Sequence, residues 1–282
     1  MGYHQPGSVG EALALLGDGT LRVVAGCTDF YPSQPMGARC RDILDLTRVE
    51  GLRGIDETAE GWRIGATTTW TDAIRAPLPP AFDALKQAAR EVGSVQIQNT
   101  GTLVGNLCNA SPAADGVPPL LALDARVEVA SAGGSRRVAL PDFITGVRAT
   151  ALEPGEMVTA LHIPRAAAEG ASAFLKLGSR KHLVISIAMV AVNATVREER
   201  VSDLRVAVGS CSPVALRLRA LEAALAGRPV AEIGAMDAAW FASLAPLSDV
   251  RGSSEYRLAS VAELSARAIR IALEKDASCS NG

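Results

Sequence analysis

Two short stretches hold the residues best suited to chemistry. Residues 96–119 read QIQNTGTLVGNLCNASPAADGVPP, with small and amide side chains crowded more densely than a plain core or a plain surface needs. Gly101 and Gly105 carry no Cβ, so a ligand can come close to the backbone there, and positive φ would cost them little. Thr102, Asn106, Asn109 and Ser111 add short donors and acceptors, and successive N–H groups in such turns form concavities that take anions, phosphate above all. The same composition also suits a tight loop whose Asn and Ser side chains serve only their own backbone. The second stretch, Ala25-Gly26-Cys27-Thr28-Asp29, is a small polar turn directly after an apolar, β-branched run. Two glycine-bearing turns placed this way can clasp a pyrophosphate from both sides.

The familiar phosphate motifs are absent. Gly101 to Gly105 is G-x-x-x-G rather than G-x-G-x-x-G, and no Gly-Lys-Ser/Thr follows, so any nucleotide is held by another architecture. The surrounding Asn, Thr and Asp also rule out reading that spacing as a membrane-helix contact. Cys27, Cys40, Cys108, Cys211 and Cys279 are scattered without a C-x-x-C pair, so neither a zinc site nor an iron–sulfur cluster is encoded here. His4, His162 and His182 lie far apart with no acid beside them, and none reads as a general base or metal ligand. Cys108 has no local base or cation and reads as a small core residue.

These stretches must be positioned by a chain of 282 residues, long enough for two or three subdomains with shared interfaces. Hydrophobic residues make up 48% but aromatics only 4%, which calls for a core of Ala, Val, Leu and Ile. A formal net charge of -2 describes no large basic face, which argues against nucleic acid and anionic membrane as partners. An odd cysteine count without a signal segment fits a cytoplasmic protein, in which the Asn109 and Asn193 sequons have no meaning. No stretch is apolar for long enough to span a bilayer. Pro6 stands where a myristoylation motif needs Ser or Thr.

Ser8 and Glu11 form a capping box that predicts a short helix through Leu13 and Leu16, stopped over 17–20. Residues 21–25 read as a buried strand and 43–46 as another, giving a small unit of strands with a covering helix. A strand follows at 62–66, with Thr71-Asp72 as the cap of the next helix. An amphipathic helix after Pro79-Pro80 carries Phe82, Leu85, Ala88, Ala89 and Val92 on one face and leads into 96–119, which is read as a loop. Pro118-Pro119 opens an apolar helical turn, Val127 and Val129 mark a strand, Gly133-Gly134 a hairpin, and Pro154-Gly155 a turn into a strand with Met157, Leu161 and Ile163. That middle third reads as antiparallel. Later strands are expected at 171–177, up to Val196 and at 201–208, separated first by the polar turn 179–182. Helices are expected from Ser212-Pro213 to Gly227, at 236–244 and at 255–273, before a frayed tail from Asp276.

Nearly the whole chain resembles the FAD-binding medium subunit of the molybdenum hydroxylases, the group that contains xanthine dehydrogenase and carbon monoxide dehydrogenase. Ala25-Gly26-Cys27-Thr28-Asp29 matches that family's Ala-Gly-Gly-Thr-Asp turn, and Thr102-Leu103-Val104-Gly105-Asn106 matches its Thr-Ile-Gly-Gly-Asn turn. Asn109-Ala-Ser111-Pro112-Ala-Ala-Asp115, Pro119-Leu-Leu-Ala-Leu-Asp124, Phe174-Leu-Lys176 with Arg180, Val208-Gly209 and Ser254-Glu255-Tyr256-Arg257 resemble its further landmarks. Cys27 and Val104 depart from it by standing where one glycine of a pair is usual, and Gln98 stands where Arg is common.

The resemblance implies an α+β flavin-binding fold: a small N-terminal α/β unit (1–56), a larger α/β middle domain (57–170), and C-terminal antiparallel strands plus helices (171–282). FAD would lie between the first two, held by the 25–29 and 102–106 turns and Ser111, with Asp115 on the ribityl chain and Lys176 near the isoalloxazine ring. Asp115 also suits the cap of the next turn, and Lys176 a strand lysine snorkelling to water. The resemblance further implies a molybdenum-cofactor large subunit and a 2Fe-2S small subunit as partners, with electrons leaving to NAD or another carrier. A stand-alone flavin oxidoreductase and a flavin-free assembly subunit are the competing readings.

Overall fold

The computed structural model describes residues 2–17, 20–35 and 42–280. The N-terminal unit comprises β1 (Tyr3–His4), α1 (Val9–Leu16), β2 (Arg22–Val24) and β3 (Ile43–Asp45), with the three strands parallel in the order β1-β3-β2. Ser8 caps α1, its Oγ accepting from the Glu11 N–H at 3.2 Å, whereas the Glu11 carboxylate reaches Gly7 N–H at 2.8 Å rather than Ser8, so the box is displaced by one residue. The helix ends at Gly17, and residues 18–19 of the expected stop lie outside the described residues. Ala12 and Leu16 pack on Leu44, Leu46, Val49 and Leu52, together with Met157 from a distant strand. The buried strand expected at 21–25 is buried only at Val24. It is the edge of its sheet, so Arg22 and Val23 stay exposed beside the cleft described below.

The middle unit runs through β4 (Ile55–Thr58), β5 (Gly61–Gly65), α2 (Trp70–Arg75), α3 (Asp83–Glu91), α4 (Val95–Thr100), α5 (Leu103–Asn109), α6 (Val117–Ala122), β6 (Arg126–Ser131), β7 (Gly134–Ala139), α7 (Leu140–Phe143), β8 (Ile144–Gly146), β9 (Ala149–Thr150) and β10 (Met157–Pro164). Its main sheet is antiparallel in the order β4-β5-β10-β6-β7, and the hairpin expected at Gly133-Gly134 joins β6 to β7. Ile64, Leu85, Leu103, Leu107, Leu120, Val127 and Leu161 build the core between sheet and helices. The cap of α2 is Thr69, two residues before the expected position. Its backbone is held extended by a bridge to Thr102, and its side chain and that of Asp72 satisfy each other's backbone N–H groups.

The stretch 96–119 is not an extended loop. It forms the greater part of α4, all of α5 and the start of α6, joined by tight turns, and its small residues let these short helices pack closely. Gly101 has φ −63° and Gly105 lies inside α5, so neither uses positive φ. Gln98, where Arg was the family expectation, is buried and donates to the carbonyls of Arg90 and Val92 at the end of α3.

The C-terminal sheet is antiparallel, β11 (Ala171–Leu177), β12 (Ala188–Arg197), β13 (Arg200–Gly209) and β14 (Leu216–Arg217), covered by α8 (Arg219–Leu225) and α9 (Ser254–Ser280). The helix expected from Ser212 begins only at Arg219, because Leu216 and Arg217 pair with Val208 and Ala207 as β14. The one expected at 236–244 is a single 3₁₀ turn, Ala238–Phe241. The tail expected to fray from Asp276 stays helical to Ser280. Its Asp276 carboxylate accepts the Val196 N–H at 2.7 Å, which anchors it to β12.

Candidate functional site

The 25–29 turn leaves the C-terminal end of β2, the end where open parallel sheets hold their ligands. It faces α5, and between them lies a cleft of about 350 Å³ lined by Val24 to Phe30 on one side and by Thr102, Gly105, Asn106, Cys108 and Asn109 on the other, with Trp70 beside them. Thr102 is the N-cap of α5, its Oγ1 accepting from Gly105 N–H at 2.9 Å. Gly26 is required by packing: a Cβ there would come within 1.9 Å of the Thr100 carbonyl oxygen. Cys27 has φ 55°, a left-handed conformation that costs a side-chain-bearing residue about 1–2 kcal/mol. Val104 is a helical residue without that strain, so the two departures from the expected turns differ in consequence.

Asp29, Asn106 and Val92 also line a second chamber of about 390 Å³, completed by Glu91, Gly93, Ala113, Asp115 and residues 183–186, so the cleft runs on toward the C-terminal unit. A third, apolar recess of about 200 Å³ opens from the first between Val23, Leu46, Ala66, Val104 and Met157.

At the far chamber Asp115 is buried and does not cap α6. Its Oδ2 lies 2.7 Å from Lys176 Nζ, and its Oδ1 accepts from Ser186 Oγ at 2.6 Å. Burial raises the Asp115 pKa, while the Lys176 charge and the two hydrogen bonds oppose that rise. Lys176 therefore does not snorkel to water; its ammonium is enclosed with its partner.

The structure gathers Ala25, Gly26, Cys27, Thr28, Asp29, Thr102, Gly105 and Asn106 in the first chamber, and Val104 in the apolar recess beside it. Leu103 is fully buried in the middle core and its N–H is spent on Thr68 O. Ser111 turns inward on its own loop, accepting from Ala113 N–H. Asn106 lines both chambers, and its Oδ1 accepts from Gly116 N–H at 3.2 Å. Cys108 is not a core residue: it is exposed and opens onto the cleft, with no His or Lys among the described residues that line the cleft to activate it, and with Arg22 on the opposite wall.

Three participants escaped sequence reading. Arg148 donates from Nη1 to Asp29 Oδ2 at 2.9 Å and to both oxygens of Asn109, Ser186 holds Asp115, and Trp70 lines the first chamber. No local signal marks Arg148 or Ser186. His162 also corrects an expectation, since it pairs with Glu128 at 2.7 Å across neighbouring strands, away from the cleft.

The residues present fit a dinucleotide. Among the described residues the N–H groups of Gly26, Thr28 and Asp29 donate to no protein acceptor, which leaves a row of backbone donors at the cleft. Among the described residues Arg22 is the sole Lys or Arg lining the first chamber, so an anion there would rely largely on backbone dipoles.

Comparison with known proteins gives the family of the chain. Residues 1–166 match the FAD binding domain in molybdopterin dehydrogenase, and residues 173–272 the CO dehydrogenase flavoprotein C-terminal domain. The chain is 33% identical over 263 residues to a putative xanthine dehydrogenase FAD-binding subunit of Escherichia coli (strain K12), covering 91% of this chain and 90% of that one. It is 31% identical over 277 residues to the carbon monoxide dehydrogenase medium chain of Hydrogenophaga pseudoflava, covering 96% of each. The solved structure of carbon monoxide dehydrogenase from the same organism, lacking the Mo-pyranopterin moiety of its cofactor, superposes with a TM-score of 0.86 at 31% identity over 96% of each chain.

Proposed function

This chain belongs to the family of FAD-binding medium subunits of molybdenum hydroxylases, and from that premise we propose that its FAD lies along the cleft between the 25–29 turn and α5, with the Asp115–Lys176 pair at the flavin end. The protein is an oxidoreductase component: an FAD-binding electron-transfer subunit of a heteromeric complex whose large subunit holds the molybdenum cofactor and whose small subunit holds 2Fe-2S clusters. When bound, the flavin supplies the redox chemistry, taking electrons from the iron–sulfur clusters and passing them to an external acceptor.

The chain's own residues bind and orient. The unspent N–H groups of Gly26, Thr28 and Asp29 would donate to oxygens of the two phosphates, and Thr102 keeps α5 in place opposite them. Gly105 keeps that wall low, and Asn106 offers its amide to both chambers. Asp115, tied by Lys176 and Ser186, presents a fixed carboxylate in the second chamber, where it serves as acceptor for ribityl hydroxyls. Ser111 acts through the loop it closes and Leu103 through the core beneath α5.

The acceptor proposed is NAD or another carrier, and the compartment proposed is the cytoplasm; among the described residues no helix is long and apolar enough to cross a membrane. The divisions 1–56, 57–170 and 171–282 are retained as the three functional units of this reading.

The observation that carries the reading is the row of unspent N–H groups on one wall of a continuous two-chambered cleft. Expressing the chain alone and reconstituting it with FAD tests it. One equivalent of flavin that is released into the filtrate on denaturation is expected, with substrate turnover only in the assembled complex. No flavin bound, or full substrate turnover by the isolated chain, would defeat the reading.

A further inference from the structure

The two walls of the cleft belong to different cores. The 25–29 turn follows β2 of the N-terminal sheet, whose buried residues cluster around Leu44 and Leu46, whereas α5 is rooted by Leu103, Val104 and Leu107 in the middle core. The turn rests on the Thr100 and Gly101 backbone through Gly26, and beyond that contact the separation of the two walls is set by side chains that bridge them. Among the described residues one ion-paired side chain does so at the cleft. Arg148, on the turn between β8 and β9, donates from Nη1 to Asp29 Oδ2 at 2.9 Å, and the same nitrogen bonds the backbone and side-chain oxygens of Asn109, the last residue of α5.

Two features show that the turn is built to deliver this guanidinium. The Arg148 backbone N–H donates to Ala110 O at 2.8 Å, docking the turn on the end of α5, and Arg148 holds φ 57°, a strained conformation for a residue with a side chain. A cation at the C-terminal end of a helix is also favoured by the helix dipole. Asp29 and Asn109 both line the cleft, and Asp29 borders both chambers.

We infer that Arg148 is a positioning residue, an ionic clasp that holds the 25–29 turn against α5 and thereby sets how fast the bound dinucleotide leaves. The inference rests on the FAD reading above. The clasp residues are about half exposed, with Arg148 and Asp29 each at 50%, so salt reaches the pair and weakens it. The clasp also leaves the Asp29 charge neutralised where a pyrophosphate would otherwise meet it.

The test follows flavin fluorescence after dilution of FAD-loaded chain into excess apo-protein acceptor, for the wild type, Arg148→Gln, Asp29→Asn and the double variant. Arg148→Gln is expected to release FAD roughly three- to tenfold faster, the range that losing charge-assisted hydrogen bonds at a partly exposed site produces. Raising salt from 0.05 to 0.5 M should speed release from the wild type and leave the variant nearly unchanged. The double variant should be no faster than Arg148→Gln alone, with melting temperatures within a few degrees throughout. Should Arg148→Gln not fold, Asp29→Asn alone must show the faster, salt-insensitive release. Wild-type protein that binds no flavin would overturn the FAD reading and the clasp together. Flavin bound with equal off-rates and equal salt dependence in all four proteins would overturn the clasp alone.

Discussion

Lys176 Nζ and Asp115 Oδ2 lie 2.7 Å apart with their side chains only 6% and 10% exposed, so one ion pair pins the C-terminal sheet to the segment that lines the far chamber. β11 supplies the lysine and the link between α5 and α6 the acid, 61 residues away in sequence. Ser186 completes the carboxylate's shell from the segment leading into β12. A buried pair of this kind contributes little net stability, because its desolvation cost offsets the attraction, but it fixes a geometry and makes either partner costly to remove.

Replacing Lys176 with Met should therefore destabilise the chain by about 3–5 kcal/mol at neutral pH, since it strands a buried carboxylate. The sign of the pH dependence follows from burial, which already raises the Asp115 pKa and would then act without the lysine's opposition. A raised carboxyl pKa gives stability that is present below the unfolded value and is lost as pH rises through the folded one. The variant should accordingly recover part of its loss in mildly acidic buffer. Urea unfolding at several pH values checks this, and a loss equal at all pH values would contradict it.

At the other end of the cleft, Gly26→Ala places a Cβ against the carbonyl of Thr100 and the Cα of Gly101, backbone that cannot rotate away. The turn must move off α4, at a cost of about 1–3 kcal/mol. Because this turn carries the unspent N–H row, FAD affinity should fall together with stability. Isothermal titration of the folded fraction measures the first quantity; unchanged affinity would show that the turn is not a cofactor wall.

Much of this site was legible from residue types. The two turns and Asn106 stand out because glycine and amide side chains cluster there more than packing requires, whereas Asp115 and Lys176 stand out only through the family resemblance. What escaped depends on register and long-range pairing. Arg148 is a lone arginine in a turn, and only the fold sets it beside Asp29 and Asn109. His162 meets Glu128 because β10 and β6 pair with a local irregularity, which no 34-residue separation reveals. The short helices within 96–119 were missed because Gly, Asn and Thr are poor helix formers, and here the Thr102 cap and tertiary packing override propensity. Leu216 suits an amphipathic helix as well as a strand, and pairing with Val208 decides between them.

Cys27 offers a test in the opposite direction. Its left-handed φ of 55° is strained for cysteine and free for glycine, although glycine gives back some of the gain through greater freedom in the unfolded chain. Cys27→Gly should raise stability by roughly 1 kcal/mol or less, a melting shift of up to about 3 °C, and leave FAD binding intact. A lower melting temperature would mean that contacts of the thiol outweigh the backbone strain.

The last prediction concerns the clamp that carries the C-terminal helix to the site. Asp249 accepts the Arg251 N–H at 2.8 Å and the Arg257 Nη2 at 2.8 Å, while Arg257 Nη1 reaches the carbonyls of Ile187 and Ser210. Ile187 adjoins Ser186, which holds Asp115, and the Ser210 N–H donates to Pro112 O in the loop before Asp115. Arg257 is thus the point where α9 meets the back of the far chamber. The Arg251 N–H above all, then the Arg257 and Arg251 guanidinium groups, hold the Asp249 carboxyl down from 3.8 to about 2. A depressed carboxyl pKa contributes stability that is full above 3.8 and disappears as pH falls through about 2. Asp249→Asn, which cannot carry the charge, should melt below the wild type at neutral pH, and the gap should narrow as pH drops below 4. Thermal melts of both proteins from pH 7 to pH 3 measure it. A gap that stays constant over that range would show that the Asp249 charge does not hold Arg257, and the clamp would then rest on the two carbonyls alone.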